Sequence, residues 1–239
     1  MSRGGPALYD PIAASYAARV DAAPFNACYE RPAMVNLLPA VRNRRVLDAG
    51  CGSGWYAEQL VALGAHVTAL DASPAMIAYA RARLGTRAAF HVADLAQPLT
   101  WLADASTDLV IAPLVLHYLE AWGPTLREFA RVLRPGGRLL FSTHHPGTEA
   151  ERLSVTRYFA VEPVDETLPG VGPVRFFRRP LTAIFDALAD AEFLVERVVE
   201  PGPTAALQTL DPAAFDRVSR RPAFLIVRAR RDEPTNHIT

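Results

Sequence analysis

The segment Val46-Leu47-Asp48-Ala49-Gly50-Cys51-Gly52-Ser53-Gly54 decides the fold, because a short apolar run leads into glycines at alternate positions. Glycine lets the backbone turn tightly and leaves room for a ligand to lie against it. A helix is predicted near Gly54–Leu63, and its N-terminus would present unpaired N–H groups and a partial positive charge. Strand, glycine turn and helix together predict a ligand-binding turn.

An acidic residue follows at the spacing that a nucleotide site needs. Asp71 ends the next predicted strand, 17 residues after Gly54, and about 20 residues is typical of an acid that binds ribose hydroxyls. A dinucleotide fingerprint would place glycine at position 55, which is Trp55 here. Asp48 suits a pyrophosphate poorly, but it can accept hydrogen bonds from a cationic amino group or from the loop itself. The pattern therefore favours a ligand with a ribose and an ammonium group over one with phosphates.

Beyond the turn, short apolar strands alternate with amphipathic helices, which predicts βαβ units and a parallel sheet. Ser73 and Pro74 have the residue types of a helix cap and first turn, and Pro135-Gly136-Gly137 is predicted to stop a helix. We therefore predict an α/β, Rossmann-like fold whose seven-stranded, mostly parallel sheet carries helices on both faces. The predicted strands are Val46–Ala49, His66–Leu70, Ala88–Val92, Asp108–Ala112, Arg138–Thr143, Phe193–Glu200 and Ala223–Arg230. The predicted helices after the first are Pro74–Leu84, Trp122–Leu133, Leu181–Ala191 and Pro212–Arg220.

The whole chain, residues 1–239, is expected to form a single domain. Residues 1–44 would be a helical cap, since Tyr9, Ile12, Tyr16 and Val20 share one apolar face. Residues 45–144 would be the cofactor-binding core and 181–230 its C-terminal part, followed by a tail at 231–239. The alternation breaks after the fifth strand, so residues 145–180 are predicted to be an inserted lid, with extended pieces at Ser154–Val161 and Val171–Arg178.

Composition excludes several classes of protein. The 239 residues are half hydrophobic, and the 25 basic and 25 acidic side chains cancel, which disfavours a nucleic-acid partner. All the basic residues are arginine, as GC-rich codon usage produces, and we expect a bacterial protein. No run approaches roughly 18 apolar residues and the start lacks a signal-peptide core, so we expect a cytoplasmic protein without a membrane partner. Cys28 and Cys51 make no disulfide framework.

Five ordered motifs carry a family resemblance. Val46–Gly54 resembles motif I of the class I S-adenosylmethionine-dependent methyltransferases, in the form typical of the small-molecule branch that includes ubiquinone biosynthesis. The other motifs follow in the family order: Asp71-Ala72-Ser73-Pro74-Ala75-Met76, Ala93-Asp94-Leu95, Asp108–Leu119 and Leu133–Leu139. The resemblance implies S-adenosyl-L-methionine as cofactor.

The resemblance also implies roles for individual residues. Asp71 would accept both ribose hydroxyls, Asp94 would accept from the adenine amino group, and Met76 and Leu95 would be apolar walls. Arg31 could pair with the cofactor carboxylate, and Tyr16 could cover the same end, although a surface ion pair and a core contact are alternative roles. Cys51 is expected to be only a small residue in the turn. The full set of implied cofactor residues is Tyr16, Arg31, Asp48, Ala49, Gly50, Gly52, Asp71, Ala72, Met76, Ala93, Asp94, Leu95 and Ala112.

Three histidines follow the fourth and fifth strands, where ligands of open α/β sheets bind. His145 or His144 is the first candidate base for an oxygen or amine acceptor, and His117 would lie near the cofactor methyl; each could instead be a structural histidine. Because neighbouring residues on a strand face opposite sides, only one of the adjacent pair should face the substrate. We expect no metal site.

The acceptor should meet the predicted lid. Tyr158, Phe159, Phe176 and Phe177 could form an apolar or stacking wall. Arg175, Arg178 and Arg179 could bind an acidic acceptor, or be a solvated cluster. The sequence thus predicts methyl transfer to a small organic acceptor, first to a hydroxyl oxygen and next to nitrogen or carbon, in secondary metabolism, by a monomer or homodimer. The alternatives are a cofactor-binding enzyme of cyclase type, a nicotinamide oxidoreductase and a non-catalytic binding module.

Overall fold

Nine strands are seen in the computed structural model, which describes residues 13–21, 23–168 and 172–232, and only the backbone of residues 15, 16, 18 and 168. They are β1 Arg45–Ala49, β2 His66–Asp71, β3 Ala89–Val92, β4 Thr107–Pro113, β5 Leu133–His144, β6 Glu162–Leu168, β7 Gly172–Arg178, β8 Phe193–Val199 and β9 Phe224–Arg231. Seven of them form one sheet in the order β3-β2-β1-β4-β5-β9-β8, while β6 and β7 form a separate antiparallel hairpin.

The helices described alternate with the strands in the first half of the chain. They are α1 Ala13–Val20, α2 Arg31–Leu37, α3 Trp55–Ala62, α4 Pro74–Leu84, α5 Gly123–Val132, α6 Pro146–Arg152, α7 Leu181–Asp190, α8 Ala205–Leu210 and α9 Pro212–Arg220. A π-helical segment, Asn26–Glu30, runs directly into α2, and a 3₁₀ turn covers Leu116–Tyr118. The Ser73 side chain caps α4 by accepting from the N–H of Met76, as the sequence predicts.

Strand direction confirms the mostly parallel sheet. β3, β2, β1, β4 and β5 pair in parallel, and β9 runs antiparallel between β5 and β8. In β1, Leu47 faces a core layer that contains Phe129 of α5 and Ile184 of α7, whereas Val46 faces a layer that contains Leu60 of α3. Helices therefore cover both faces, and the carboxyl ends of the parallel strands are left at one edge of the sheet, where a ligand can bind.

The insertion after β5 differs from its prediction. Residues 154–161 contain turns and no strand, and the first hairpin strand is instead Glu162–Leu168. The aromatic and β-branched residues of 154–161 suggest a strand, but the observed strand carries three acidic residues among seven and is half-exposed. Ion pairs such as Asp165 with Arg175 stabilise it across the hairpin.

Other element limits also differ from the sequence pattern. Helix α5 ends at Val132, so Pro135-Gly136-Gly137 lies inside β5, beside a register shift between Thr107 and Leu109 of β4. The helices α6 and α8 were not predicted. Tyr9 and Ile12 of the predicted cap lie outside the described residues, and β9 extends to Arg231, the first residue of the predicted tail. Within the described part of the chain, no helix is both long and apolar enough to cross a membrane.

Candidate functional site

A cavity of about 200 Å³ lies where the carboxyl ends of β1, β2, β3 and β4 meet the π-helical segment and the hairpin. Its position is the crevice in which open α/β sheets bind ligands. Walls from six parts of the chain enclose it. The lining residues are Val20, Asn26, Glu30, Arg31, Gly50, Cys51, Gly52, Ser53, Trp55, Tyr56, Leu70, Asp71, Ala72, Ser73, Met76, Ala93, Asp94, Leu95, Pro113, Leu114, Val115, Tyr118, Leu119, Arg175 and Phe177.

The glycine turn forms the floor of this cavity. Gly50, Gly52 and Gly54 have φ angles of 75°, 53° and 86°, a region that L side chains rarely adopt. A Cβ atom on Gly50 would lie 2.7 Å from Cβ of Val115, and closer still to its Cγ2. Glycine therefore lets the turn approach the exit of β4, and it keeps the cavity floor open between them.

Asp71 fixes the turn from the end of β2. Its Oδ2 accepts from the N–H of Gly52 and its Oδ1 from the N–H of Ser73, both at 2.9 Å. An ionised carboxylate offers about four acceptor positions, which suits it to accept from several donors, such as the hydroxyls of a ribose. The structure thus places the carboxylate in the cavity wall, at the end of β2.

Asp48 is a fully buried acid under the turn, on the face of β1 that carries α3. Neither carboxylate oxygen has a hydrogen-bond partner of ordinary geometry within the described residues. Burial, and then the charge of Asp71, raise the pKa of Asp48 to about 8, and the backbone N–H of Ala57 acts in the opposite direction. An unpartnered buried carboxylate is costly, and a cation bound at the turn would offset that cost.

Apolar and small side chains line the cavity wall beyond Asp71. Met76 and Leu95 are buried there, and Ala72 and Ala93 line the same wall. Asp94 also lines the cavity, and its Oδ1 accepts from the N–H of Ala96 at 2.9 Å. Apolar walls closed by an acceptor suit an adenine ring and its amino group.

Arg31 supplies a fixed positive charge at the opposite end. Its guanidinium lies 4.3 Å from the ring centroid of Trp55 and donates to Asp21 Oδ1 at 3.1 Å. The side chain is buried, and these two contacts hold it in the cavity wall. Tyr16 lies on α1, but its side chain is outside the described part of the structure. Asp48, Ala49 and Ala112 lie in the strands beneath the cavity and do not line it.

The structure adds an acid that the sequence patterns did not single out. Glu30 lines the cavity at the end of the π-helical segment and is 1% exposed. Its Oε1 accepts from the hydroxyl of Ser142 at 2.5 Å and its Oε2 from the hydroxyl of Tyr56 at 2.7 Å. Burial raises the pKa of Glu30, while the two hydroxyl donors and then the charge of Arg31 act to lower it. The only local signal in the sequence is an acid next to Arg31 ahead of Pro32.

None of the three predicted histidines lines the cavity. His145 caps α6 by accepting from the N–H of Thr148, and its Nε2 lies 2.8 Å from Glu200 Oε1. His117 and His144 stack on each other with ring centroids 4.2 Å apart. Burial lowers the pKa of both, strongly for His117, so the pair is neutral at pH 7.

The hairpin separates its side chains by face. Arg175 and Phe177 line the cavity, while Phe176 points away and meets the rings of His117 and His144 edge-on. Arg178 is buried in an ion pair with Glu162. The remaining predicted acceptor residues lie off the cavity. Arg179 packs on Trp122 and donates to backbone oxygens, Tyr158 is half-buried beside Phe159, and Phe159 is exposed.

The donor set fits S-adenosylmethionine. The unpartnered buried carboxyl of Asp48 would ionise beside a cationic methionine end, the glycine turn provides a cradle that a Cβ would fill, and Asp71 and Asp94 suit the nucleoside. No group of three or more His, Cys, Asp or Glu side chains within the described residues is arranged to hold a metal ion.

The fold and this site define an α/β enzyme that binds a nucleoside cofactor at the carboxyl edge of its sheet. Residues 47–141 match the methyltransferase-domain family. A solved S-adenosylmethionine-dependent methyltransferase from Mesorhizobium loti is 33% identical and superposes with a TM-score of 0.75, covering 89% of this chain and 100% of that one. The chain belongs to the S-adenosylmethionine-dependent methyltransferases, and its cofactor is S-adenosylmethionine.

Two further relatives bear on the reaction. A malonyl-[acyl-carrier protein] O-methyltransferase from Erwinia billingiae is 41% identical over 106 residues, so the chain spans about two fifths of that curated relative: 43% of this chain and 39% of that enzyme are covered. A solved [4+2]-cyclase superposes with a TM-score of 0.60 at 20% identity, covering 84% of this chain and 80% of that one, which is a likeness of fold alone. Family membership is inconsistent with the nicotinamide oxidoreductase alternative.

Proposed function

We propose that the protein transfers the methyl group of S-adenosylmethionine to a hydroxyl oxygen of a small organic acceptor in bacterial secondary metabolism. The observation that carries the proposal is a single cavity with two differently lined ends. One end combines the glycine turn with Asp71 and Asp94. The other opens between the exit of β4 and the hairpin, and it is lined by Leu114, Leu119 and Phe177.

The first end is assigned to the cofactor. Asp71 is proposed to accept the ribose hydroxyls, and Asp94 the adenine amino group, between the apolar side chains of Met76 and Leu95. Gly50 and Gly52 would hold the methionine part against the turn. Asp48 would stabilise its positive charge from below, and Arg31 would pair with its carboxylate.

The second end is assigned to the acceptor. The cofactor supplies an electrophilic methyl group on a sulfonium, so the main task of the protein is to align the acceptor oxygen with it. The apolar walls exclude water from the transfer, and Phe177 can cover a flat acceptor. Arg175, which is half-exposed and paired with Asp165 at the rim, is placed to pair with an acidic group on the acceptor. The O-methyltransferase activity of the Erwinia relative supports oxygen as the methylated atom.

Calorimetric titration with S-adenosylhomocysteine tests the cofactor assignment. Asp71→Ala should weaken binding by about 1–3 kcal/mol, roughly 5- to 150-fold, because charged hydrogen bonds to the ribose are lost. Asp104→Ala is the matched control, since that exposed acid pairs with Arg131 away from the cavity. Unchanged affinity in a folded Asp71→Ala protein would count against the ribose role.

Methyl transfer is tested with methyl-labelled cofactor and a panel of catechols, hydroxybenzoic acids and short hydroxy acids. Label recovered in an ether product supports the proposal. Label in N- or C-methyl products would show that nitrogen or carbon, and not oxygen, accepts the methyl group. Cofactor binding without any label transfer would overturn the methylation proposal and favour a cofactor-binding enzyme of cyclase type.

A further inference from the structure

We propose that Glu30 is the base that takes the hydroxyl proton from the acceptor, with Tyr56 and Ser142 holding its carboxylate in place. This inference rests on the proposed hydroxyl methylation, and it concerns the acceptor end of the same cavity. No histidine is required.

Three elements converge on the carboxylate. Glu30 belongs to the π-helical segment, Tyr56 to α3 and Ser142 to β5, and the two hydroxyls donate to different carboxylate oxygens at 2.7 and 2.5 Å. Each oxygen keeps a lone pair for a further donor. π-helical turns inside α-helices are frequent at functional sites, and here the turn brings Glu30 to the cavity. Two bonds from separate elements therefore hold the carboxylate in one orientation at the cavity wall.

The location of Glu30 favours the acceptor over the cofactor. Ser142, its partner, lies near the end of β5 and also accepts from the N–H of Leu114 at the exit of β4. The carboxyl end of β4 borders the acceptor end of the cavity, because Pro113 and Leu114 line it. The nucleoside acids Asp71 and Asp94 lie on β2 and after β3, on the other side of β1.

Elimination among the described cavity residues leads to the same side chain. Asp71 and Asp94 are assigned to the nucleoside, and burial raises the pKa of Cys51 and Tyr56 far above neutrality. His117, His144 and His145 do not line the cavity, and the chain contains no lysine. Glu30 is the remaining carboxylate that lines the cavity. Tyr118 lines it too, but a phenol must lose its own proton before it can act as a base. Burial raises the pKa of Glu30, and a higher pKa makes a carboxylate a stronger base.

The acceptor oxygen would attack the methyl carbon and form a C–O bond while the C–S bond breaks. The electron pair of the C–S bond stays on the sulfur, which leaves S-adenosylhomocysteine. The hydroxyl proton moves to a carboxylate oxygen of Glu30 and is later released to solvent. The charged and titratable groups that face Glu30 and its donors are Arg31, Tyr56 and Asp48.

The test compares Glu30→Gln with a matched control, Glu58→Gln, whose half-exposed acid on α3 pairs with Arg83 and does not line the cavity. The assay uses labelled methyl transfer to the hydroxyl acceptor that the panel identifies. Glu30→Gln should lower kcat by roughly 100-fold or more, as loss of a general base does, with KM and S-adenosylhomocysteine affinity within about twofold. Glu58→Gln should leave kcat unchanged.

A second variant separates catalysis from folding. Tyr56→Phe removes one donor to the carboxylate, which raises the pKa of Glu30, so the acidic limb of the kcat profile should move to higher pH. A purely structural carboxylate would not move that limb. Unchanged kcat in folded Glu30→Gln, an unmoved limb in Tyr56→Phe, or lost cofactor affinity at unchanged kcat would each overturn the inference. Failure of the wild-type protein to methylate any hydroxyl acceptor would instead overturn the proposed function beneath it.

Discussion

Replacing Gly50 with alanine should destabilise the protein far more than the same change two residues later at Gly52. Both glycines have positive φ, 75° and 53°, so either alanine would be strained in the left-handed region. That conformation costs an L residue roughly 1–2 kcal/mol. Only at position 50 does a new methyl group also meet packed atoms, because Val115 closes over it from the exit of β4.

The magnitude follows from that contact. A Cβ on Gly50 would lie 2.7 Å from Cβ of Val115 and 3.1 Å from its Cγ1, so the turn and β4 must separate. Overpacking of this kind costs roughly 1–3 kcal/mol, which brings Gly50→Ala to about 2–5 kcal/mol in total. In a protein of this size each kcal/mol lowers Tm by about 2–4 °C. At Gly52 nothing lies within 4 Å of the added carbon, so only the backbone cost remains.

Thermal unfolding without ligand measures both variants, and titration with S-adenosylhomocysteine follows on the folded protein. We expect Gly50→Ala to lose more stability than Gly52→Ala and to lose cofactor affinity as well, since the turn is displaced toward the cavity. Equal Tm values for the two alanine variants would refute the close approach of Gly50 to Val115.

Two further predictions concern Asp48 and His145. Because the pKa of Asp48 rises from 3.8 to about 8 on folding, the native state binds the extra proton, and stability falls as pH rises through this window, by up to roughly 6 kcal/mol. Asp48→Asn should therefore match the wild-type stability near pH 4 and exceed it by several kcal/mol near pH 8 in cofactor-free denaturation, and a gap that is the same at every pH would contradict this. His145→Ala should lower Tm by roughly 2–4 °C, because loss of the side-chain cap of α6 destabilises the protein by about 1 kcal/mol. Its labelled methyl transfer should continue, and a large loss of turnover in the folded variant would return His145 to the catalytic candidates.

Much of the fold could be predicted because its signals are local. Apolar runs such as Val46–Ala49 define strands, Ser73 and Pro74 define a helix start, and the alternation of these elements leads to a parallel sheet. The hairpin strand Glu162–Leu168 could not be found in this way. Its stability comes from pairing with β7 and from ion pairs across the hairpin, and neither leaves an apolar period in the sequence.

The site residues also fall into those with a local sequence signal and those without one. Gly50, Gly52, Asp71 and Asp94 follow strands directly, so their chemistry and position can be read together. Glu30 and Ser142 are 112 residues apart and meet only because the π-helical segment packs onto the end of β5. The histidines differ from Glu30: their residue type and strand-end position suggest a base, but the structure does not bring them to the cavity. His145 caps α6, and His117 and His144 stack on each other.

The alternation of cavity-facing and buried side chains along β7 also bears on how the acceptor preference of such an enzyme evolves. Its odd-numbered residues Arg175 and Phe177 line the cavity, while the even-numbered Val174, Phe176 and Arg178 are buried and anchor the hairpin. If these two side chains contact the acceptor as proposed, substitutions at position 177 would alter the preferred acceptor while the buried residues keep the hairpin in place. Substitutions at position 175 would also remove the ion pair with Asp165. A small library randomised at those two positions would test new acceptors while the buried residues of the hairpin stay unchanged.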